Sequence, residues 1–116
     1  MRRNHRLYLE DIFASIEKIQ YYIVGLSYES FIKDGLRVDG AVRNLEIIGE
    51  AANNLPQEIK DKYPAIEWRK IIDFRNVLVH EYFGIDFDIL WDIIQNKLPD
   101  LNNQIKIILS EQSQQE

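Results

Sequence analysis

The chain has no cysteine and no threonine, only two histidines, and just Pro 3 and Gly 5 in 116 residues. Without cysteine there is no disulfide scaffold, thiolate zinc site, iron–sulfur cluster or cysteine nucleophile, and a reducing cytosol is the expected compartment. Sparse proline and glycine with dispersed charge exclude a disordered tail or a low-complexity linker. Apolar runs end after a few residues, as at Val77 to Val79, far short of the roughly 18 a membrane span needs. Met1 to Arg6 is basic but leads into Leu7-Tyr8-Leu9-Glu10-Asp11 with no apolar h-region, so no signal peptide is expected.

What is present is enough for one globular core, with 46% apolar and 28% charged residues. The expected organisation is a single helical domain over 1–112 with a polar tail over 113–116, and fraying is expected from Ser110. Charge is uneven. Residues 1–80 carry 12 basic and 12 acidic side chains, while 81–116 carry 2 basic and 7 acidic, which accounts for the net −5. A field of that sign gives no general grip on a phosphate backbone, so nucleic-acid chemistry would need a local site or an oligomeric cleft.

Periodicity is helical throughout. Leu9, Ile12, Phe13, Ile16, Ile19, Ile23 and Leu26 recur at threes and fours and predict a first helix. Asp34-Gly35 reads as a break, and a second long helix is expected from about Val38, with its stripe at Val38, Ala41, Val42, Leu45, Ile48, Ala52 and Leu55, ending before Pro56. A third runs from about Glu67 to Phe83, closed by Gly84. The fourth, from about Asp86 to Glu111, has its stripe at Phe87, Leu90, Ile94, Leu98, Leu101, Ile105 and Ile108, and Pro99 should kink or divide it. The architecture expected is an all-α, antiparallel four-helix bundle with short additional helical turns. Ile89, Ile93 and Ile107 fall opposite the main stripe of the last helix, which suggests a second covered surface.

Most chemistries fail on residue inventory. A di-iron bundle needs Glu-x-x-His pairs, yet Arg2 and Val77 stand three residues before His5 and His80. Glu46 and Glu50 share a face, but that i,i+4 spacing suits a solvated or salt-bridging surface, and no metal or cofactor site is expected. Gly25, Gly35, Gly40, Gly49 and Gly84 form no phosphate-cradling loop. What remains is Arg75-Asn76-Val77-Leu78-Val79-His80-Glu81-Tyr82, an arginine, an amide, an imidazole and a phenol within eight residues. Those groups can hold a phosphate and move a proton beside it. The bland alternative is a helix whose polar residues meet water while Phe74, Val77 and Leu78 face the core.

With Arg75 at 0° and ~100° per residue, Asn76 falls at ~100°, His80 at ~140° and Tyr82 at ~340°. Asn76 and His80 thus share one face, and Arg75 and Tyr82 another. Three arrangements would unite them: Arg75 reaches around, the helix distorts before Gly84, or two copies pool their residues across a two-fold axis.

The run Arg75 to Tyr82 resembles the Arg-x4-His-x-Tyr motif of HepT-like toxins in the HEPN superfamily of ribonucleases. The likeness extends to Leu45-Glu46-Ile47-Ile48-Gly49-Glu50-Ala51-Ala52, Trp68, Tyr82-Phe83-Gly84-Ile85-Asp86, Trp91-Asp92-Ile93-Ile94 and Leu98-Pro99-Asp100-Leu101. One departure is Asp73-Phe74, where a Gly-Met pair often precedes the arginine. The resemblance implies a HEPN fold, a homodimer with its motifs facing one cleft, and metal-independent cleavage of RNA. It also implies an MNT-type nucleotidyltransferase antitoxin that transfers adenylyl groups from ATP to the motif tyrosine, here Tyr82.

Residue chemistry supports the same mechanism. RNA carries its own nucleophile, the 2′-hydroxyl, so a catalyst must remove that proton and stabilise a crowded phosphorane. Imidazole, titrating near ~6.5, can act as base and then acid, a role for His80. Arg75 can neutralise the non-bridging oxygens, and Asn76 can orient the 2′-hydroxyl, a water or the imidazole. A phenol near ~10 is a poor base, which makes Tyr82 a control point, since AMP there would place bulk and negative charge over Arg75. The alternative reading is a non-catalytic module that binds a nucleotide and docks a nucleotidyltransferase.

Overall fold

A computed structural model describes residues 3–80 and 84–115, with side chains described for 4–80 and 84–112. All regular structure among them is helical: α1 Arg3–Tyr22, α2 Tyr28–Lys33, α3 Gly35–Asn54, α4 Gln57–Lys62, α5 Trp68–His80, α6 Phe87–Asp92, a π-helical segment Ile93–Lys97, and α7 Leu98–Gln115. The long helices α1, α3, α5 and the α6–α7 unit form the antiparallel bundle. α3 packs on both α1 and α5, and α7 closes against α1. No helix of the described residues is long and apolar enough to cross a membrane.

The apolar stripes bury as their spacing requires. Leu9, Ile12, Ile16 and Ile19 of α1 meet Ala41, Leu45, Ile48 and Ala52 of α3, and Leu90, Ile94, Leu98, Leu101, Ile105 and Ile108 line the same core. Ile23 and Leu26 are only partly buried because α1 stops at Tyr22. The chain turns there through Gly25, whose φ of +77° is a conformation that L side chains rarely adopt. Phe87 departs from its expected place in the core. It opens α6, before that helix lies alongside the bundle, and is 38% exposed.

Asp34-Gly35 is a helix start and not only a break. The Asp34 carboxylate accepts from the Arg37 backbone N–H at 3.2 Å, so α3 begins at Gly35, three residues ahead of Val38. Ser27 and Ser30 cap α2 reciprocally, and Asp86 caps α6 through the Asp88 and Ile89 N–H groups. Phe31 and Tyr28 of α2 pack on Trp91, with ring centroids 5.1 and 6.1 Å away.

Around Pro99 the irregularity is a widened turn. The Leu98 N–H donates to the Ile93 carbonyl, five residues back, while Ile93 and Leu98 both keep right-handed helical angles. Pro99 offers no N–H and its ring crowds the carbonyl four residues earlier, so a π turn just before it makes room without breaking the helix. α7 then continues to Gln115, past the point where fraying is expected. Its end is tied down: Gln112 Nε2 donates to the Tyr63 hydroxyl at 3.0 Å, and that hydroxyl donates to Glu111 Oε2 at 2.9 Å.

Candidate active site

α5 carries the motif from Arg75 to His80 and is anchored by a narrow apolar stripe. Trp68 and Leu78 are buried, Ile71 and Phe74 are half-buried, and Trp68 Nε1 donates to the Tyr63 carbonyl at 3.2 Å. That stripe leaves Asp73, Asn76, Val77, Val79 and His80 exposed. Val77 therefore does not face the core. It is 43% exposed and Val79 46%, two branched apolar side chains bracketing the motif on its open side.

The approach of α3 sets the position of Arg75. At Gly49 an added Cβ would lie 2.2 Å from the Arg75 Cβ and 2.7 Å from its Cγ, so the stem of the arginine lies directly on glycine backbone. From there the guanidinium turns across α5, and Arg75 Nη1 donates to Asn76 Oδ1 over 2.9 Å. Within one chain this contact carries the guanidinium to Asn76, the residue that shares a helix face with His80. The arginine is half-buried, whereas Asn76 and His80 are exposed. Tyr82, the expected modification site, lies outside the described residues.

A cavity of about 460 Å³ opens elsewhere, between α3, α5 and the π segment, floored by Leu45, Ile48, Phe74, Ile93 and Leu101 with Lys70 and Lys97 at its edge. Phe74 and Lys70 lie at ~260° and ~220° on α5, far from Asn76 and His80 at ~100° and ~140°. The cavity therefore belongs to the other side of the helix. At its rim Lys70 Nζ stands 2.7 Å from Glu67 Oε2, and this ammonium holds the Glu67 carboxyl below its ordinary range. No group of three or more acidic or histidine side chains among the described residues could hold a metal ion.

Ile89 and Ile107, on the second apolar face of the last helix, are 54% and 56% exposed, while Ile93 of that face packs partly on the core. Gly49 is the site residue that sequence reasoning missed. Its signal was available: a glycine inside a long helix costs roughly 0.5–1 kcal/mol against alanine, and close approach of a second helix is a standard reason to keep it.

The model of the HepT-like ribonuclease family matches residues 12–108. A protein of Caldanaerobacter subterraneus subsp. tengcongensis described as a candidate RNase is 41% identical over 107 residues, covering 92% of this chain and 96% of that one. A protein of Thermococcus cleftensis described as a probable ribonuclease HepT is 38% identical over 106 residues, 91% of this chain and 96% of that one. A longer protein of Methanocaldococcus jannaschii, described as a gamma-glutamylcyclotransferase and candidate RNase, is 35% identical over 111 residues, 96% of this chain and 50% of that one. No solved structure matches the chain. With a family match across most of its length and relatives 41% and 38% identical over nearly the whole chain, the chain belongs to the HepT-like ribonuclease family.

Proposed function

We propose that this chain is an endoribonuclease toxin of a HepT/MNT-type toxin–antitoxin pair, acting in the cytoplasm as a homodimer. It cuts RNA by transesterification without a metal. The observation that carries this reading is the Arg75 to Asn76 hydrogen bond of 2.9 Å, which turns the guanidinium towards the face of His80. His80 takes the proton of the 2′-hydroxyl as the 2′-oxygen bonds to phosphorus, and returns a proton to the departing 5′-oxygen as that P–O bond breaks. Arg75 remains charged and neutralises the non-bridging oxygens of the phosphorane. Asn76, already engaged with Arg75, orients the guanidinium and the reacting hydroxyl together.

The chemistry predicts a cyclic product. Cleavage of RNA by the purified chain should persist in EDTA and leave a 2′,3′-cyclic phosphate, read by mass spectrometry of the fragments. Activity lost to EDTA and restored by magnesium would refute this mechanism. Nucleotide binding without any cleavage would instead support a docking module.

Regulation is assigned to Tyr82. Adenylylation by a nucleotidyltransferase antitoxin would set an anionic AMP one heptad beyond Arg75 and silence the site. Tyr82→Phe keeps the ring and deletes the acceptor oxygen, so this variant should cut RNA, take up no label from ATP and escape inactivation by the partner. An adduct mapped only to another residue, such as Tyr63 or Tyr8, would remove Tyr82 from the scheme.

A further inference from the structure

Arg69 and Asp73 lie on the same exposed stripe of α5 as the proposed site. Taking Arg69 as 0°, Asp73 falls at ~40°, Asn76 at ~340° and His80 at ~20°, a spacing of four, three and four residues that draws one line along the helix. All four side chains are exposed. Arg69 Nε is 3.3 Å from Asp73 Oδ1, with the arginine side chain 89% exposed and the aspartate 56%. That contact uses Nε and leaves both terminal Nη groups for another acceptor.

Helix stability does not account for the pair. Arg69 stands in the first turn of α5, where the dipole disfavours a cation, and that turn contains no acidic residue. The order is also the weaker one, since an acid N-terminal to the base is the better i,i+4 arrangement. An exposed pair of this kind contributes little beyond that.

We propose that Arg69 is a second phosphate contact for the RNA substrate, and that Asp73 is the resident carboxylate the incoming phosphate displaces. This inference rests on the ribonuclease reading and names how the strand lies: along α5, from His80 past Asn76 towards the helix start. Seven residues at about 1.5 Å each put Arg69 about 10 Å from Asn76, the length of about three stacked nucleotides at ~3.4 Å each. Its Nη groups can then hold a backbone phosphate bidentately a few nucleotides from the cut, independent of base sequence. In a chain of net charge −5, such local cations must supply the grip on RNA. Asp73 then weakens and tunes that grip, because its carboxylate competes for the guanidinium and repels the phosphate.

The test uses the full chain, a short single-stranded RNA that it cuts, and the same RNA with a 2′-deoxy substitution at the scissile nucleotide for binding alone. Arg69→Ala should raise KM and Kd by roughly threefold to tenfold, and make the fall of log affinity with log salt shallower by ~0.7. Arg69→Lys should recover the salt slope but only part of the affinity, since an ammonium replaces the fork. Asp73→Asn should bind more tightly than the parent chain, a gain that a purely stabilising ion pair would not produce. Circular dichroism of each variant reports helix content separately.

RNA cut at parental KM and salt slope by Arg69→Ala would overturn the inference and leave the ribonuclease reading standing. RNA bound with an Arg69-dependent slope but never cut would do the reverse. Loss of antitoxin docking in Arg69→Ala, with KM and slope unchanged, would reassign the stripe to a protein partner and likewise overturn the proposal.

Discussion

His80→Ala should slow RNA cleavage by about 10²- to 10⁴-fold, the range expected when one group serves as both base and acid. The imidazole is exposed at the last residue of α5, so its removal opens no core cavity and leaves the bundle intact. The loss should therefore fall in kcat, with thermal stability near that of the parent. Arg75→Ala should cost a similar ~10²- to 10³-fold through the phosphorane. It differs in a second respect, because the arginine stem is part of the α3–α5 contact and its truncation also lowers stability. An undiminished rate in both variants would mean that the activity comes from a contaminating nuclease.

Mixing the two inactive variants separates the site's possible compositions. Arg75 reaches Asn76 within one chain, and the proposal to be tested is that each protomer of the homodimer holds a whole site. In that arrangement a His80→Ala/Arg75→Ala heterodimer carries no complete set and mixing restores nothing. Recovery of a substantial fraction of the parental rate would mean that arginine and histidine act across the two-fold axis. Val77, Val79, Ile89 and Ile107 are among the exposed apolar side chains that such an interface could use.

The helices were legible where burial recurs at the helical period. Leu9, Ile12, Ile16 and Ile19 form α1, and Leu90, Ile94, Leu98, Leu101, Ile105 and Ile108 form the last helix, because each series returns to one face. Boundaries were less legible. Asp34-Gly35 has the chemistry of a turn and of an N-cap, and only the Asp34 bond to the Arg37 N–H makes it the start of α3. At Pro99 the sequence shows that a hydrogen bond must be lost, but neighbouring packing decides that a π turn absorbs it. For the site, the face shared by Asn76 and His80 follows from helical angle alone. The reach of Arg75 does not, since the path of its side chain is decided by Gly49 on another helix, 26 positions earlier in the chain.

Gly49→Ala should damage both stability and catalysis although it adds only a methyl group far from the motif in sequence. The new carbon would meet the Arg75 Cβ at 2.2 Å, its Cγ at 2.7 Å and the Ile71 carbonyl oxygen at 3.3 Å. The first two atoms belong to the base of the arginine, which cannot swing aside as a flexible tip would. Relief to a normal contact of about 3.5–4.0 Å requires α5 to move by more than about 1 Å. Overpacking of this kind costs about 1–3 kcal/mol, against roughly 0.5–1 kcal/mol gained by replacing a helical glycine, so net destabilisation is expected by urea unfolding. A displacement near 1 Å can cost up to ~10²-fold in rate, and here it moves the guanidinium away from Asn76. A double-mutant cycle with Arg75→Ala distinguishes that effect from simple loss of folded protein. With the guanidinium gone, Gly49→Ala has no charge left to misplace, yet the clash with the remaining Cβ persists. The kcat losses should therefore be strongly non-additive while the unfolding free energies stay closer to additive. Full kcat in Gly49→Ala, or kcat losses that simply multiply, would show that the glycine serves only helix packing.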